Sequence, residues 1–303
     1  MQGAGLPPAL VQPHATQGET PMSAPETIPA PHVAGMTSAP RRSTFWAIRG
    51  QLGRRQYALI ALTGLLLPLV VWWALSATQW VSPVFLPGPM QVAERLAQWW
   101  TDDNLGTDMA ISAWRVCAGW ALSLVVALPL GLLIGTFRPV KALLEPLTDF
   151  IRYMPAVAFV PLIMLWVGID EGAKVAVIFI GTFFQMVLMV AEDVRRVPDA
   201  QIEAAQTMGA TRSEIIRLVI IPSAKPALLD TLRITMGWAW TYLVVAELVA
   251  ANSGVGFAIL KAQRFLQTDK IFGGILLIGA MGLVIDQMFR LVHRLAFPWL
   301  AKR

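Results

Sequence analysis

Long apolar runs dominate this sequence and constrain its fold more than any other feature. Six of them are each long enough to cross a bilayer as a helix. They lie at about 57–78, 112–137, 147–168, 173–191, 230–251 and 271–292. A backbone in lipid must satisfy its hydrogen bonds within the segment, so runs of this length predict helices. We therefore predict an all-α integral membrane protein with six transmembrane helices.

The overall composition agrees with this class of protein. Of the 303 residues, 56% are hydrophobic and only 14% are charged, whereas soluble domains are about one-quarter charged. Lysines and arginines concentrate in the regions that lie inside if the N-terminus is inside, as the loops on the cytoplasmic side of membrane proteins do. This predicts cytoplasmic N- and C-termini. It also accounts for the formal charge of +5 without a nucleic-acid partner.

The sequence before the first apolar run has a different composition. Residues 1–42 are rich in proline, alanine, threonine and glycine, and such a segment cannot bury enough apolar surface to offset its ordering entropy. We predict a disordered cytoplasmic tail there, with no secretory signal peptide. Residues 43–56 combine aromatic and basic side chains and predict an interfacial amphipathic segment. The transmembrane domain is then 57–303.

A polar loop, residues 198–226, interrupts the apolar pattern between the fourth and fifth runs. Asp199 can cap a helix over about 200–208, and Gly209 suits the left-handed conformation that ends one. Thr211 followed by Glu214 is a capping box for a second short helix. Pro222 predicts a bend where that helix ends. The pattern therefore predicts two short helices joined at a glycine, which we call the elbow.

The two predicted helices of the elbow differ in their side chains. Ala204 and Ala205 make the first helix slim, so that another surface can approach it closely. Ile215, Leu218 and Val219 form an apolar stripe on the second helix, and we expect this stripe to pack on the protein's own membrane helices. The free side of the elbow is then a cytoplasmic docking element, although a plain helical loop would give the same local signals.

The spacing of these residues resembles the EAA loop of ABC importer permeases. Glu203-Ala204-Ala205 is followed after three residues by Gly209, and after nine more by Val219-Ile220-Ile221-Pro222. The family pattern ends in Ile-x-Leu-Pro, so Val and Ile occupy the aliphatic places here. The runs "MPAVAFVPLIMLWVGIDEGAK" and "WTYLVVAELVAANSGVGFAILKAQRFLQTDKIF" extend the similarity over about residues 55–300. They resemble the nitrate/sulfonate/taurine/bicarbonate branch of these permeases.

This resemblance implies a type I ABC importer permease fold in a bacterial inner membrane. It implies a permease homodimer, two ATPase subunits on the cytoplasmic side that hold ATP and Mg, and an external solute-binding protein. The substrate would be a small oxyanion or organic acid. The chain itself has no G-x-x-x-x-G-K-[ST] motif, so we expect it to bind no cofactor and to be no enzyme. The expected coupling residues are Glu203, Ala204, Ala205, Gly209, Thr211, Arg212 and Pro222.

Polar side chains within the apolar runs are candidates for the translocation pathway, because such groups are costly in lipid and face the bundle interior. Arg152 could attract an anionic substrate, or it could pair with Asp149 or Glu145. We expect Glu247 to be structural or gating, with Arg264 or Lys261 as its partner. The pathway candidates are Arg152, Gln185, Thr241, Tyr242 and Glu247.

Two further features bear on function. A secondary carrier coupled to protons or sodium is the alternative, with Glu247 or Asp286 as the proton-carrying carboxylate, but it predicts two related halves that the sequence does not display. The single cysteine, Cys117, predicts a small buried residue, and the three histidines are scattered. The sequence therefore predicts neither a metal site nor a membrane enzyme. Pro155 and Pro161 predict breaks in the third run.

Overall fold

The computed structural model describes residues 53–300. The predicted tail and most of the predicted interfacial segment lie outside this range. Within it the chain is helical, with no strand. The helices are α1 (Arg54–Ala77), α2 (Pro89–Asp102), α3 (Leu105–Thr136), α4 (Arg138–Arg152), a 3₁₀ turn (Ala156–Phe159), α5 (Val160–Val167), α6 (Glu171–Arg195), α7 (Asp199–Thr207), α8 (Arg212–Glu214), a π-helical segment (Ile215–Ile220), α9 (Ile221–Ala250), α10 (Val255–Arg264) and α11 (Thr268–Ala296).

The chain divides into two compact units, at 1–60 and 61–303. The described part of the first unit is 53–60, which contains the first turns of α1. All contacts discussed below lie within the second unit. Every one of the six predicted apolar runs falls on helical structure.

Four of the described helices, α1, α3, α6 and α11, are long and apolar enough to cross a membrane. A fifth candidate is α4 together with Ala156–Val167, which is bent by 89°. The fifth predicted run lies on α9, which has 30 residues but is not among these helices, because polar and charged side chains interrupt it. The count of six spans therefore stays a prediction.

Pro155 and Pro161 predicted breaks in the third apolar run, and the structure has a break only at Pro155. The chain leaves helical geometry before Pro155, which precedes the 3₁₀ turn in an extended conformation. Pro161 causes no break because it lies in the first turn of α5, where its missing N–H would have no partner in any case.

A stripe of small side chains brings α3 and α6 into close contact. The stripe repeats every four residues on α3, at Gly119, Ser123, Ala127, Gly131 and Gly135. A Cβ atom on Gly131 would lie only 2.6 Å from the Cβ of a valine on α6 and 2.7 Å from a backbone oxygen. Small residues at this spacing let the two backbones approach as in packed membrane helices. The hydroxyl of Ser123 also bonds to that of Thr182 at 2.7 Å.

The two helices of this pair run in the same direction. Gly119 faces Ile178, and Gly135 faces Val194, so both sequences advance together. The segment between them, α4 to α5, therefore has to return along the bundle. Helix α9 is antiparallel to α6. It begins beside the end of α6 and ends beside the start of α3, through contacts described below.

Cys117 is exposed on α3, so the prediction of a buried cysteine is wrong. The packed face of α3 follows the four-residue stripe that contains Gly119. Cys117 lies two residues away from that stripe and consequently points to the opposite side of the helix.

Candidate functional site

The elbow begins with a helix that ends in a glycine turn, as its sequence predicted. Helix α7 covers Asp199–Thr207, and Gly209 has a φ of +83°. The N–H of Gly209 donates to the carbonyl of Gln206 at 2.9 Å, and the N–H of Ala210 donates to that of Ala205 at 3.0 Å. This bonding pattern is a Schellman motif. Asp199 is the first helical residue and not the cap, which is Pro198.

The second half of the elbow starts at the predicted capping box. The backbone N–H and the hydroxyl of Thr211 each donate to the carboxylate of Glu214 at 2.7 Å. The N–H of Glu214 points back to the Thr211 hydroxyl at 3.4 Å. The hydrogen bond from the Thr211 hydroxyl, with that from its backbone, lowers the pKa of Glu214 below its ordinary value. The carboxylate is therefore charged at neutral pH.

The second helix does not end at Pro222, where its sequence predicted an end. The chain passes from α8 through the π-helical segment Ile215–Ile220 directly into α9, and Pro222 is the second residue of α9. Since proline supplies no N–H to the preceding turn of a helix, the hydrogen-bonding pattern has to adjust there. The π-helical segment lies directly before Pro222 and is such an adjustment.

The elbow has one face against the bundle and one free face. Ile215 and Ile220 are buried with Val194 and Val197, and Ala205 packs beside them. On the free face Met208 is 86% and Leu218 is 72% exposed. The expectation that Leu218 packs inward is therefore wrong, because the π-helical segment rotates its side chain away from Ile215. Most of the predicted coupling residues are exposed, namely Glu203, Ala204, Gly209, Thr211, Arg212 and Pro222.

A cavity of about 250 Å³ lies where the third run is broken. Its lining brings together four of the five predicted pathway residues, from three separate parts of the chain. They are Arg152, Gln185, Thr241 and Tyr242. Aromatic side chains, Phe159, Phe184 and Trp238, complete much of the remaining wall. The cavity therefore combines apolar walls with a few hydrogen-bonding groups and one cation, which is the usual character of a small-ligand site.

Two contacts set the geometry of this cavity. The guanidinium of Arg152 pairs with Asp149 at 3.1 Å and lies 4.8 Å from the ring centroid of Tyr153. Of the two partners predicted for Arg152, it is thus Asp149 that it contacts. Gly181 lines the cavity opposite Tyr242, and a Cβ atom there would lie 2.4 Å from the tyrosine ring. The absence of a side chain at Gly181 therefore leaves room for that ring.

Glu247 is not part of the cavity. Its side chain is fully buried, and its partner is Arg115, at 2.7 Å, and not Arg264 or Lys261. The predicted partners are wrong because Lys261 and Arg264 are exposed in the later turns of α10, whereas the buried carboxylate of Glu247 lies against α3 and the first turn of α10. The N–H of Gly256 and the hydroxyl of Ser112 also donate to this carboxylate, each at 2.7 Å.

Arg115 is the centre of a buried ionic cluster that sequence reasoning missed. The guanidinium forms a bidentate pair with Glu171, with both bonds at 2.7 Å. It also donates to Glu247 and to the carbonyl and hydroxyl of Ser253. All five of its N–H donors are thereby used. We call Ser112, Arg115, Glu171, Glu247 and Ser253 the polar node.

The polar node ties α3, α6 and α9 together at the end of the bundle opposite the elbow. It also holds the loop after α9, where Gly254 has a φ of +103° and donates its N–H to Asp108 at 2.9 Å. A Cβ atom on Gly254 would lie 2.3 Å from the carboxylate of Glu247. The sequence did contain one signal for the polar node, namely Arg115 inside the second apolar run. A charged side chain at such a position usually pairs with another polar group.

Asp286, the other carboxylate considered for proton transport, is also paired. It contacts Arg290 at 2.7 Å along α11 and Arg233 of α9 at 3.2 Å. This is the helix-packing contact between α9 and α11. Among the described residues no group of His, Cys, Asp and Glu could hold a metal ion.

The comparisons with known proteins concern the same part of the chain. Residues 127–299 match the family described as "Binding-protein-dependent transport system inner membrane component". The chain is similar to the taurine transport system permease protein TauC of Escherichia coli, with 34% identity over 76% of this chain and 86% of that protein. It is also similar to the putative aliphatic sulfonates transport permease protein SsuC of Bacillus subtilis, with 33% identity over 84% and 92%.

The fold is similar to that of a solved transporter. A chain of the MetNI methionine ABC transporter, in an inward-facing conformation, aligns with a TM-score of 0.51 at 23% identity. The alignment covers 61% of this chain and 95% of that one. At this identity the likeness concerns the fold alone.

Proposed function

This chain belongs to the family of binding-protein-dependent transport system inner membrane components, and on that premise we propose that it forms the translocation pathway of an ATP-driven importer for a small oxyanion or organic acid. The observation that carries the proposal is the elbow. It has a rigid glycine turn, a capped second helix and a free apolar face, on a chain that has no nucleotide-binding motif.

The free face of the elbow suits contact with a separate ATPase subunit. Met208 and Leu218 are largely exposed and line an apolar groove together with Ala204 and Ala205. Protruding apolar side chains beside small ones are suited to entering a cleft of a partner protein. We propose that two ATPase subunits, with their ATP and Mg, dock here. Closure of those subunits would then move the elbows and, through Ile215 and Ile220, the helices behind them.

The cavity beside Arg152 is the proposed station for the substrate. Its neutral donors, Gln185, Thr241 and Tyr242, can bond to oxyanion groups without holding them too tightly to leave. Arg152 lines the cavity, whereas its partner Asp149 is not part of the lining. The relatives named for taurine and aliphatic sulfonates support a sulfonate within the wider class of sulfonate, taurine, nitrate and bicarbonate.

The direction of the helices supports six crossings. Helices α3 and α6 run from the polar node to the elbow, and α11 does so too, because Lys270 near its start bonds to Asp103 while Asp286 near its end contacts α9. The bent segment α4 to α5 and helix α9 return in the opposite direction. We propose that the elbow and the C-terminus face the cytoplasm of a bacterial cell, that an external solute-binding protein docks at the opposite end, and that two permease copies form a homodimer in the lipid.

The contacts of the two carboxylates weigh against a proton-coupled carrier. Glu247 and Asp286 each bond to arginine side chains at 2.7 Å. Each carboxylate therefore makes a packing contact between helices, and neither lines the cavity beside Arg152. No relative that we report is a secondary carrier.

A single substitution in the elbow tests the coupling role. We expect Gly209→Val to abolish most ATP-driven uptake, because a β-branched residue is strained at a φ of +83° by about 1–2 kcal/mol or more. Nothing lies within 4 Å of the added Cβ, so the effect comes from the backbone turn and not from a clash. The matched control is Gly64→Val in α1, where again nothing lies within 4 Å and the backbone is helical.

The measurement is uptake by membranes that contain the full transporter, together with co-purification of the ATPase subunits. Gly209→Val should insert normally while losing uptake and ATPase binding, and Gly64→Val should retain both. Normal uptake and normal co-purification in Gly209→Val would contradict the docking role of the elbow.

A further inference from the structure

A second cavity, of about 410 Å³, lies on the bundle side of the elbow. It is formed where the end of α3, the start of α4, the end of α6 and the elbow meet. Basic side chains from all of these elements except α3 line it. They are Arg138, Lys141, Arg195 and Arg212, and one acidic side chain, Asp199, accompanies them. The cavity therefore carries a net positive charge.

Of the four basic side chains, two have an acidic partner and two do not. Lys141 and Arg195 share the carboxylate of Glu145, at 3.5 and 3.0 Å. Arg138 and Arg212 make no ion pair within residues 53–300. Their positive charges are contributed by two different walls, one by the corner between α3 and α4 and the other by the elbow.

Two helix N-termini add to this positive potential. Helix α4 begins at Arg138 and α7 begins at Asp199, and neither has a side chain that caps its first turn. The first N–H groups of a helix lack intrahelical partners and carry a partial positive charge. Negative groups of a ligand are therefore favoured at both starts.

The deeper wall of the cavity is aliphatic. Ile134, Val194, Ile215 and Ile220 are all buried there. The lining also includes Thr136, whose hydroxyl is buried without a hydrogen-bond partner among the described residues.

We propose that this cavity binds a phosphate or sulfonate group, contributed either by the headgroup of an acidic phospholipid or by a free oxyanion. The two basic walls and the two helix starts converge on one site, and such groups accept bidentate bonds from arginine. The cavity lies where α3, a candidate membrane span, ends, so a lipid headgroup can reach it. A bound anion joins the elbow to the corner between α3 and α4. This site is separate from the proposed substrate station and does not depend on it.

The test uses the full transporter in detergent and follows its melting temperature. The probes are dioctanoyl phosphatidylglycerol, dioctanoyl phosphatidylcholine as the neutral control, and inorganic phosphate. The variants are Arg138→Gln and, as the matched control, Arg196→Gln, which removes an exposed arginine outside the cavity lining. Arg138 is itself exposed, so its replacement leaves the fold intact.

We expect an anionic probe to raise the melting temperature and Arg138→Gln to raise the concentration needed for half of the effect about tenfold, as the loss of one charge-assisted hydrogen bond does. Arg196→Gln should leave that concentration unchanged. A response to phosphatidylglycerol alone identifies a lipid headgroup as the source, and a response to inorganic phosphate identifies a free anion.

Three results would overturn the proposal. The first is the absence of a response to either anion, and the second is an equal change in both variants. The third is that Arg138→Gln lowers co-purification of the ATPase subunits while the response to anions stays the same. In that case the basic walls serve a protein contact. None of these results decides the coupling test at Gly209, because that test uses a different substitution and also measures uptake.

Discussion

Removing the charge of Glu247 should destabilise the folded protein strongly, because Glu247 is the fully buried one of the two carboxylates that pair with Arg115. Both side chains are completely buried and their atoms lie 2.7 Å apart. Breaking a buried ion pair by neutralising one partner costs about 3–5 kcal/mol. Glu171 remains bonded to Arg115, but it is half exposed, so water screens its charge.

The substitution Glu247→Gln keeps the size of the side chain and isolates the loss of charge. Its amide can still accept bonds from Ser112 and Arg115 through the oxygen. The amide nitrogen would then face the N–H of Gly256, which now donates to Glu247 at 2.7 Å. An unsatisfied buried donor costs about 1–3 kcal/mol. We therefore expect a loss of about 3 kcal/mol in the free energy of unfolding, toward the lower end of the range for a broken pair.

The assay is denaturant titration of the purified protein in detergent, followed by tryptophan fluorescence. The matched control is Glu192→Gln, which removes an exposed carboxylate paired with Arg195 at 2.9 Å and should cost at most about 1 kcal/mol. The double variant Arg115→Met/Glu247→Leu removes the whole ion pair. Its loss in the free energy of unfolding should be much smaller than the sum of the losses in Arg115→Met and in Glu247→Leu. Equal losses in Glu247→Gln and Glu192→Gln, or additive losses in the double variant, would refute the energetic role of the polar node.

Three further predictions concern the cavity and the elbow. Gly181→Ala should reduce uptake severalfold without affecting ATPase binding, because its Cβ would meet the ring of Tyr242 at 2.4 Å; Gly64→Ala, where the space is open, is the control, and equal uptake in both would contradict a pathway here. Thr211→Val removes an N-cap worth about 1 kcal/mol and should reduce uptake, whereas Thr207→Val, outside the capping box, should not. The pKa of Glu214 is lowered from its ordinary value of 4.5. The capping box should therefore persist above pH 4.5 and weaken only as the pH falls through the lower pKa of the folded protein. The measurement is the carboxyl chemical shift of Glu214, and a titration at or above the ordinary value would contradict this prediction.

The elbow could be predicted from sequence because its signals are local. Gly209, Thr211 and Glu214 act on neighbours within a few residues, so propensity alone located the turn and the second helix start. The helices themselves were predictable for a similar reason, since length and hydropathy define each one separately. Pro222 failed as a helix end because the helix continues through it, with the π-helical segment Ile215–Ile220 directly before it.

The polar node could not be predicted because it joins residues from distant parts of the chain. Arg115, Glu171 and Glu247 come from three helices, and nothing in the local sequence of any one of them identifies the other two. The position of Arg115 within the second apolar run indicates that its charge needs a partner, but it does not indicate which residue that partner is. In contrast, the four residues of the cavity were found because each is polar within an apolar run, a signal that needs no knowledge of the partner.

The most direct test is uptake of labelled substrate by proteoliposomes that contain this chain with and without ATPase subunits. The substrates are taurine, an alkanesulfonate, nitrate and bicarbonate, each supplied with its solute-binding protein. We expect uptake only when the ATPase subunits and ATP are both present. Accumulation driven by a proton or sodium gradient, in vesicles that lack any ATPase, would contradict the assignment of this chain as a passive pathway that a separate subunit drives.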